Sequence, residues 1–201
     1  VVALPAHALI PGLVNAHTHN PMTLMRGLAD DLPLMRWLED HIWPAEARVL
    51  GPDYVRDGIE LAVAEMLRGG TTCCNENYFF PDVAAATYRR LGFRALVGLP
   101  VIEFPSAWAR TRDEYFDKAL ALHDDLRGET LVGTAFAPHA PYTVSNESFA
   151  RIHLLADQLA WDVDGRWVLP IALIVLGVAG IAGAVGGLRP SRAESTPDAE
   201  L

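Results

Sequence analysis

Four strand-and-helix pairs follow one another between Leu13 and about residue 160, and this repeat restricts the fold more than any other feature. Apolar runs of strand length are predicted to form strands at 13–16, 71–75, 94–101 and 131–137. Segments with helical spacing are predicted to form helices at 55–67, 82–91, 113–126 and 145–159. Such alternation predicts an α/β fold, a parallel sheet with helices outside it. Four pairs are half of an eight-unit (β/α)8 barrel, and a doubly wound open sheet fits the same repeat.

The composition changes after residue 160. Residues 167–188 form a run of 22 residues without a charge, bracketed by Arg166 and Arg189. Since about 20 apolar residues suffice to cross a bilayer, the run is a candidate transmembrane helix. A buried strand followed by a glycine-rich loop or helix is the soluble alternative. Residues 161–166 are then a junction, and the polar tail at 189–201 is predicted to be disordered.

Charge and cysteine content narrow the classes of partner and site. The formal net charge is −9, and no cluster of Lys and Arg is present, which argues against a nucleic-acid partner. The two cysteines, Cys73 and Cys74, are adjacent. Neighbouring cysteines make a poor disulfide, so a reducing compartment is predicted and a cysteine-based metal site is not.

Two histidines close the first predicted strand in the stretch "LVNAHTHN". His17 and His19 are two residues apart, so on a strand both side chains point to the same face. Imidazole is a common ligand of zinc and similar divalent ions, and barrel enzymes place such ligands at the C-terminal ends of strands. The spacing alone favours a simpler interpretation, in which two polar residues close a strand.

Longer stretches around this pair resemble the amidohydrolase superfamily. The first is "PGLVNAHTHNPMTLMRGLADDLPLMRWLEDHIWPAEA", and three more follow in order: "GGTTCCNENYFFPD", "RALVGLPVIEFP" and "APHAPYTVSNE". Within the superfamily they are similar to the branch of adenosine-type deaminases acting on 5-methylthioadenosine and S-adenosylhomocysteine, with its triazine-hydrolysing relatives. The resemblance covers about residues 5–160. It implies that 13–160 form the N-terminal half of a metal-dependent (β/α)8 barrel and that 1–12 are a remnant of a small β domain.

The resemblance also implies roles for four residues. His17 and His19 match ligands of Zn²⁺ or another divalent metal. Glu46 matches a carboxylate that contacts the substrate, usually its ribose, although its spacing alone fits an exposed helix residue. His139 matches a histidine near the metal that holds the substrate, although a lone histidine between prolines is more often a loop residue. The other histidines are expected to be structural or solvated: His7, His41, His123 and His153. Four aromatic residues could line a pocket, but core packing is the default expectation for each: Trp37, Trp43, Trp108 and Tyr142.

The implied activity is hydrolytic deamination of a small-molecule nucleoside, in the cytoplasm. A divalent ion in such a site lowers the pKa of water toward about 7, and a glutamate moves the protons. Two alternatives stay open. One is a non-enzymatic protein anchored in a membrane through 167–188. The other is an amidohydrolase that acts on another ring amine or on a chlorotriazine.

One part of the family pattern is missing from this sequence. The family carries a further metal histidine and the proton-shuttling glutamate on its fifth strand. The matching run here is "LPIALIVLG", with Ile174 in place of the histidine and Gly177 in place of the glutamate. Neither side chain binds a metal or moves a proton, so no catalytic residue is assigned in this chain. The sequence therefore predicts weak metal binding and no deaminase activity for the chain on its own.

Overall fold

The computed structural model describes residues 6–159, and their secondary structure alternates strand and helix. The strands are β1 (Leu13–Thr18), β2 (Thr71–Glu76), β3 (Arg94–Val101) and β4 (Val132–Pro138). The helices are α1 (Leu34–Trp37), α2 (Trp43–Val49), α3 (Pro52–Arg68), α4 (Pro81–Leu91), α5 (Arg112–Asp125) and α6 (Asn146–Gln158). All four predicted strands and all four predicted helices are confirmed, with bounds that differ by no more than a few residues.

The strands form one parallel sheet in the order β1-β2-β3-β4. Pairs such as Cys74 with Ala95 and Val97 with Thr134 set the register along β2, β3 and β4. Each new strand is added beside the previous one on the same side. A doubly wound sheet reverses this order at a switch point, whereas a barrel does not. Within residues 6–159 the order is therefore that of a barrel.

The core lies between the sheet and the helices that follow its strands. Ile59 of α3, Tyr88 of α4 and Leu99 of β3 have no more than a trace of exposed surface. Burial of a side chain of this size contributes about 1.5–3 kcal/mol. On α5 the side chains predicted to share one face are all buried, which confirms that prediction: Tyr115, Ala119 and Leu122.

The segment between β1 and α3 contains four short helical elements. A 3-10 turn, Asn20–Met25, follows His19, and a π-helical turn, Leu38–Ile42, joins α1 to α2. Pro44 stands in the first turn of α2 and has no N–H to donate to residue 40. This missing donor accounts for the wider turn at that point.

Core packing was the wrong expectation for two aromatic residues. Trp43 is 48% exposed and Tyr142 is 81% exposed, while Trp108 is buried as predicted. Trp37 lines a cavity between the 3-10 turn and the π-helical turn, together with apolar residues such as Met22 and Ile42.

Several predictions fall outside the described part of the chain. The remnant β domain at 1–12 is described only from residue 6, and the junction 161–166, the apolar run 167–188 and the tail 189–201 lie beyond residue 159. Among residues 6–159, no helix combines the length and hydropathy that crossing a membrane requires.

Candidate metal centre and substrate site

The C-terminal ends of the four strands lie along one edge of the sheet because all four strands are parallel. His17 and His19 stand at this end of β1, Glu76 ends β2, and His139 follows β4. Barrel enzymes build their active sites at this edge. The structure therefore places the predicted metal and substrate residues on the side of the sheet where chemistry is expected.

The His17 and His19 rings meet edge to face, with their centroids 4.9 Å apart. Both side chains are exposed. Desolvation, and to a smaller extent the neighbouring His19, lower the pKa of His17 below its usual value. A neutral imidazole at neutral pH keeps the lone pair that a metal ion needs.

The end of β2 fixes the orientation of His19. Its Nδ1 lies in a short hydrogen bond with the backbone carbonyl oxygen of Asn77, and the Asn77 N–H donates to the Thr18 carbonyl at 3.0 Å. A carbonyl only accepts, so Nδ1 of His19 carries the proton and Nε2 presents a lone pair. Metal-binding histidines in proteins are commonly held in this way.

The histidine pair fits a divalent ion as part of a ligand set. Two imidazole donors sit on one strand end, and one of them is held in the tautomer that a metal requires. A catalytic zinc usually takes three protein ligands. Within residues 6–159, no group of three His, Cys, Asp or Glu side chains is arranged to hold one ion.

A carboxylate and a tyrosine lie next to this pair. Tyr78, two residues past β2, donates its hydroxyl to Oε1 of Glu46 in a short hydrogen bond, and its ring centroid lies 6.2 Å from that of His19. Burial raises the pKa of Glu46, and the bond from Tyr78 opposes part of that rise. Glu46 is thus half-buried and partnered rather than an exposed helix residue, and Tyr78 lies between it and the His17–His19 pair.

Tyr54 of α3 lies close to Tyr78 and Glu46. Its hydroxyl oxygen is buried and has no hydrogen bond of standard geometry within the described residues, although it lies close enough to the Tyr78 hydroxyl to interact with it. Burial raises the pKa of Tyr54 to about 12; the interaction with Tyr78 opposes part of this rise, and the charge of Glu46 adds to it. A buried hydroxyl without a well-formed hydrogen bond is costly. The region around Glu46 and Tyr78 therefore contains a polar atom that can form a hydrogen bond with a ligand or a water.

A buried polar network lies directly behind the histidines. Glu76 is 1% exposed and Asn20 is 3% exposed. The Asn20 N–H is shared between the two oxygens of Glu76, at 3.2 and 3.1 Å, and Tyr88 donates its hydroxyl to Oε2 at 2.7 Å. Burial raises the pKa of Glu76 to about 7 although these donors lower it.

Asn20 connects this network to β1. Its side-chain N–H groups donate to the Tyr88 hydroxyl at 2.7 Å and contact Cys74 Sγ at 3.6 Å, while its Oδ1 accepts from Thr18 at 2.8 Å. Thr18 is the residue between the two histidines. Glu76 is therefore connected through Asn20 to the end of β1 that carries the two histidines.

His139 stands apart from the pair, just past the end of β4. Its backbone N–H donates to Val101 of β3 at 3.3 Å, and its Nδ1 contacts the Thr143 hydroxyl at 3.1 Å. The side chain is exposed, and partial desolvation lowers its pKa. With β2 and β3 between it and β1, His139 lies at the opposite end of the same edge.

Sequence reasoning missed Tyr78, Glu76, Asn20 and Tyr88. The motif "CNENYF" was part of the resemblance, but no role was assigned within it. The sequence did contain one signal for Glu76. It stands at the end of a predicted strand, and a carboxylate that is buried at such a place usually has hydrogen-bond partners. For Asn20 and Tyr88 no local signal existed.

Known proteins resemble this chain over most of its length. A profile of the amidohydrolase family matches residues 8–163. A 5-methylthioadenosine/S-adenosylhomocysteine deaminase of Saccharophagus degradans is 49% identical over 158 residues, which are 79% of this chain and 35% of that protein. A 5'-deoxyadenosine deaminase of Methanopyrus kandleri is 42% identical over 77% of this chain and 35% of its own length.

A solved structure of a related deaminase also resembles this chain. The crystal structure of an adenosine deaminase from Xanthomonas campestris, with bound zinc, superposes with a TM-score of 0.74 at 67% identity. The match covers 75% of this chain and 34% of that one. The chain thus spans about a third of the length of the relatives it matches. The resemblance inferred from the four sequence stretches is confirmed.

Proposed function

Because this chain belongs to the amidohydrolase family, we propose that it forms the metal-binding and ribose-binding part of a hydrolytic deaminase. The reaction replaces the ring amino group of an adenosine-type nucleoside with oxygen from water and releases ammonia. The substrates proposed are 5-methylthioadenosine and S-adenosylhomocysteine. The observation that carries the proposal is the His17–His19 pair at the end of β1, with His19 held by Asn77.

In this proposal His17 and His19 are two of the ligands of a zinc or similar ion. When bound, such an ion supplies a Lewis acid that makes water nucleophilic near neutral pH. The chain's own contribution is orientation. Asn77 keeps the Nε2 lone pair of His19 directed away from β2, and the lowered pKa of His17 keeps that ring neutral.

Glu46 and Tyr78 are proposed to bind the sugar. Tyr78 occupies one oxygen of Glu46, which leaves the other oxygen to accept a hydrogen bond from a ribose hydroxyl. The contact of Tyr78 with the His19 ring sets the sugar beside the metal pair. His139, at the far end of the same edge, is proposed to hold the base.

The four strand-and-helix pairs are proposed to be half of a (β/α)8 barrel. The sequential order β1-β2-β3-β4 supports this arrangement. Ile174 and Gly177 stand where the family has its next metal histidine and its proton-shuttling glutamate. We therefore propose that the chain binds metal weakly and turns over no nucleoside by itself.

Zinc binding tests the metal part of the proposal. Isothermal titration and NMR spectra of the purified chain should locate zinc at His17 and His19, and His17→Ala or His19→Ala should remove that binding. His153→Ala is the matched control, since His153 is an exposed histidine on α6 whose partner is Asp157. Zinc binding that survives both His17→Ala and His19→Ala would refute the assignment.

A chimera tests the substrate. Residues 6–159 replace the matching third of the Saccharophagus degradans relative, and the folded chimera is assayed with 5-methylthioadenosine, S-adenosylhomocysteine, 5'-deoxyadenosine and guanine. We expect release of ammonia from the adenosine-type nucleosides. A chimera that folds and binds zinc but deaminates none of them would refute the proposed activity without touching the metal site.

A further inference from the structure

We propose that Glu76 is a positioning residue, which holds the turn after the His17–His19 pair so that both rings face one ion. Its carboxyl group accepts the Asn20 N–H on both oxygens and the Tyr88 hydroxyl on one. The part of this inference that concerns zinc rests on the proposed function. The part that concerns the orientation of His19 does not need a metal.

Three contacts from the end of β2 converge on the three residues that carry the pair. Asn77 donates to the Thr18 carbonyl and accepts from the His19 ring, and Glu76 accepts from the N–H of Asn20. Thr18, His19 and Asn20 are consecutive. A shift of Asn20 therefore moves the residue directly joined to His19, and of these three contacts the one from Glu76 holds the backbone of Asn20.

Hydrogen bonds from two residues hold the carboxyl group of Glu76 in place. Tyr88 accepts from the Asn20 side-chain amide and donates to Glu76, each at 2.7 Å, and the Asn20 backbone N–H donates to Glu76, so the three residues form a closed set of hydrogen bonds. Tyr88 is fully buried in the core cluster of α4. Tyr88 and Glu76 thereby connect the buried core to the turn that follows the His17–His19 pair.

Stability alone does not account for a carboxyl group in this place. Among residues 6–159, no lysine or arginine forms an ion pair with Glu76, although it is 1% exposed. Burying an acidic group without a cation costs stability, and an uncharged side chain of the same volume is commonly more stable. A group that accepts hydrogen bonds on both oxygens is, by contrast, what the Asn20 turn and Tyr88 together require.

Glu76→Gln tests the inference. The variant keeps the volume but replaces one acceptor with an N–H2 donor, which then faces Asn20 or Tyr88. Two quantities are measured: the Nδ1–H fraction of His19 from ¹⁵N shifts of the metal-free chain, and the zinc affinity. We expect a lower Nδ1–H fraction and an affinity lower by about 10-fold to 100-fold, the usual effect of losing a group that orients a metal ligand.

Two further variants keep the test decisive. Tyr88→Phe removes one donor to Glu76 and the acceptor of the Asn20 side-chain amide, and leaves the Glu76 carboxyl group and its bond from the Asn20 N–H in place. It should move both readouts in the same direction by a smaller amount, and it serves if Glu76→Gln does not fold. Ser148→Ala removes a buried hydrogen bond to Glu103 that shares no partner with β1. It should lower the melting temperature and leave the tautomer and the affinity unchanged.

The outcomes separate the two proposals. Variants of Glu76 and Tyr88 that lose stability as Ser148→Ala does, with the His19 tautomer and zinc affinity unchanged, would overturn the positioning role. If His17→Ala and His19→Ala leave zinc binding intact, the proposed metal site fails. The tautomer of His19 in the metal-free chain still decides the role of Glu76 in that case.

Discussion

The acidity of Glu76 makes the stability of this chain depend on pH in a direction opposite to that of most carboxylates. Glu76 is 1% exposed, and burial raises its pKa from 4.5 to about 7. In the unfolded chain the group returns to its ordinary pKa. Between these two values the folded chain keeps the proton of Glu76 and the unfolded chain releases it. A rise in pH across this interval therefore favours unfolding.

The size of the effect follows from the same two pKa values. Each unit of difference between the folded and unfolded pKa is equivalent to about 1.4 kcal/mol. A rise from 4.5 to about 7 then makes a contribution of about 3 kcal/mol. This contribution is fully present below about pH 4.5 and is lost as the pH rises through about 7.

Urea unfolding of the chain and of Glu76→Gln, in the absence of metal, measures this contribution. Other acidic groups titrate in both proteins alike, so the difference between the two free energies of unfolding isolates Glu76. We expect that difference to change by about 3 kcal/mol between about pH 4.5 and pH 8, with the native chain losing stability relative to the variant. At a typical urea dependence this equals a midpoint change of about 1 to 3 M. Two stability curves that run parallel across this range would refute the reasoning.

Two further substitutions have expected outcomes. Tyr78→Phe removes the hydrogen bond that lowers the pKa of Glu46, so this pKa should rise further in ¹³C NMR titrations, and an unchanged value would contradict the contact. Gly58→Ala places a Cβ 2.6 Å from the Pro21 carbonyl oxygen and should cost about 1–3 kcal/mol in urea unfolding. Gly133→Ala, which meets its nearest side-chain atom at 3.5 Å, is the control and should cost much less.

The regular elements could be predicted because their signals are local. Strand β3 has the bounds Arg94–Val101 that its apolar run predicted, and α4 ends beside Gly92, whose φ of 65° suits a residue without a side chain. Ser145 caps α6 through its hydroxyl, at the residue where the sequence placed the start of that helix. In each of these cases neighbouring residues in the sequence decide the outcome.

The segment between β1 and α3 could not be predicted because its helices depend on distant residues. Helix α1 has four residues and no side-chain cap, too short to be stable without tertiary contacts. The 3-10 turn rests on α3, where Gly58 lets the backbone of Pro21 approach closely. Glu46 of α2 meets Tyr78 across 32 residues of sequence. None of these contacts leaves a periodic pattern.

In the candidate site, too, some residues could be predicted from the sequence and others could not, and the difference has a physical cause. A metal ligand must be one of a few residue types, so His17 and His19 could be proposed as ligands from the sequence once the family resemblance was seen. A residue that positions a ligand needs only a donor or an acceptor at one point, which many residue types supply. Glu76 meets Asn20 across 56 residues and Tyr88 across 12, so its role exists only in the fold. A substitution at Glu76 should therefore impair zinc binding while every residue of the "HTH" motif stays intact.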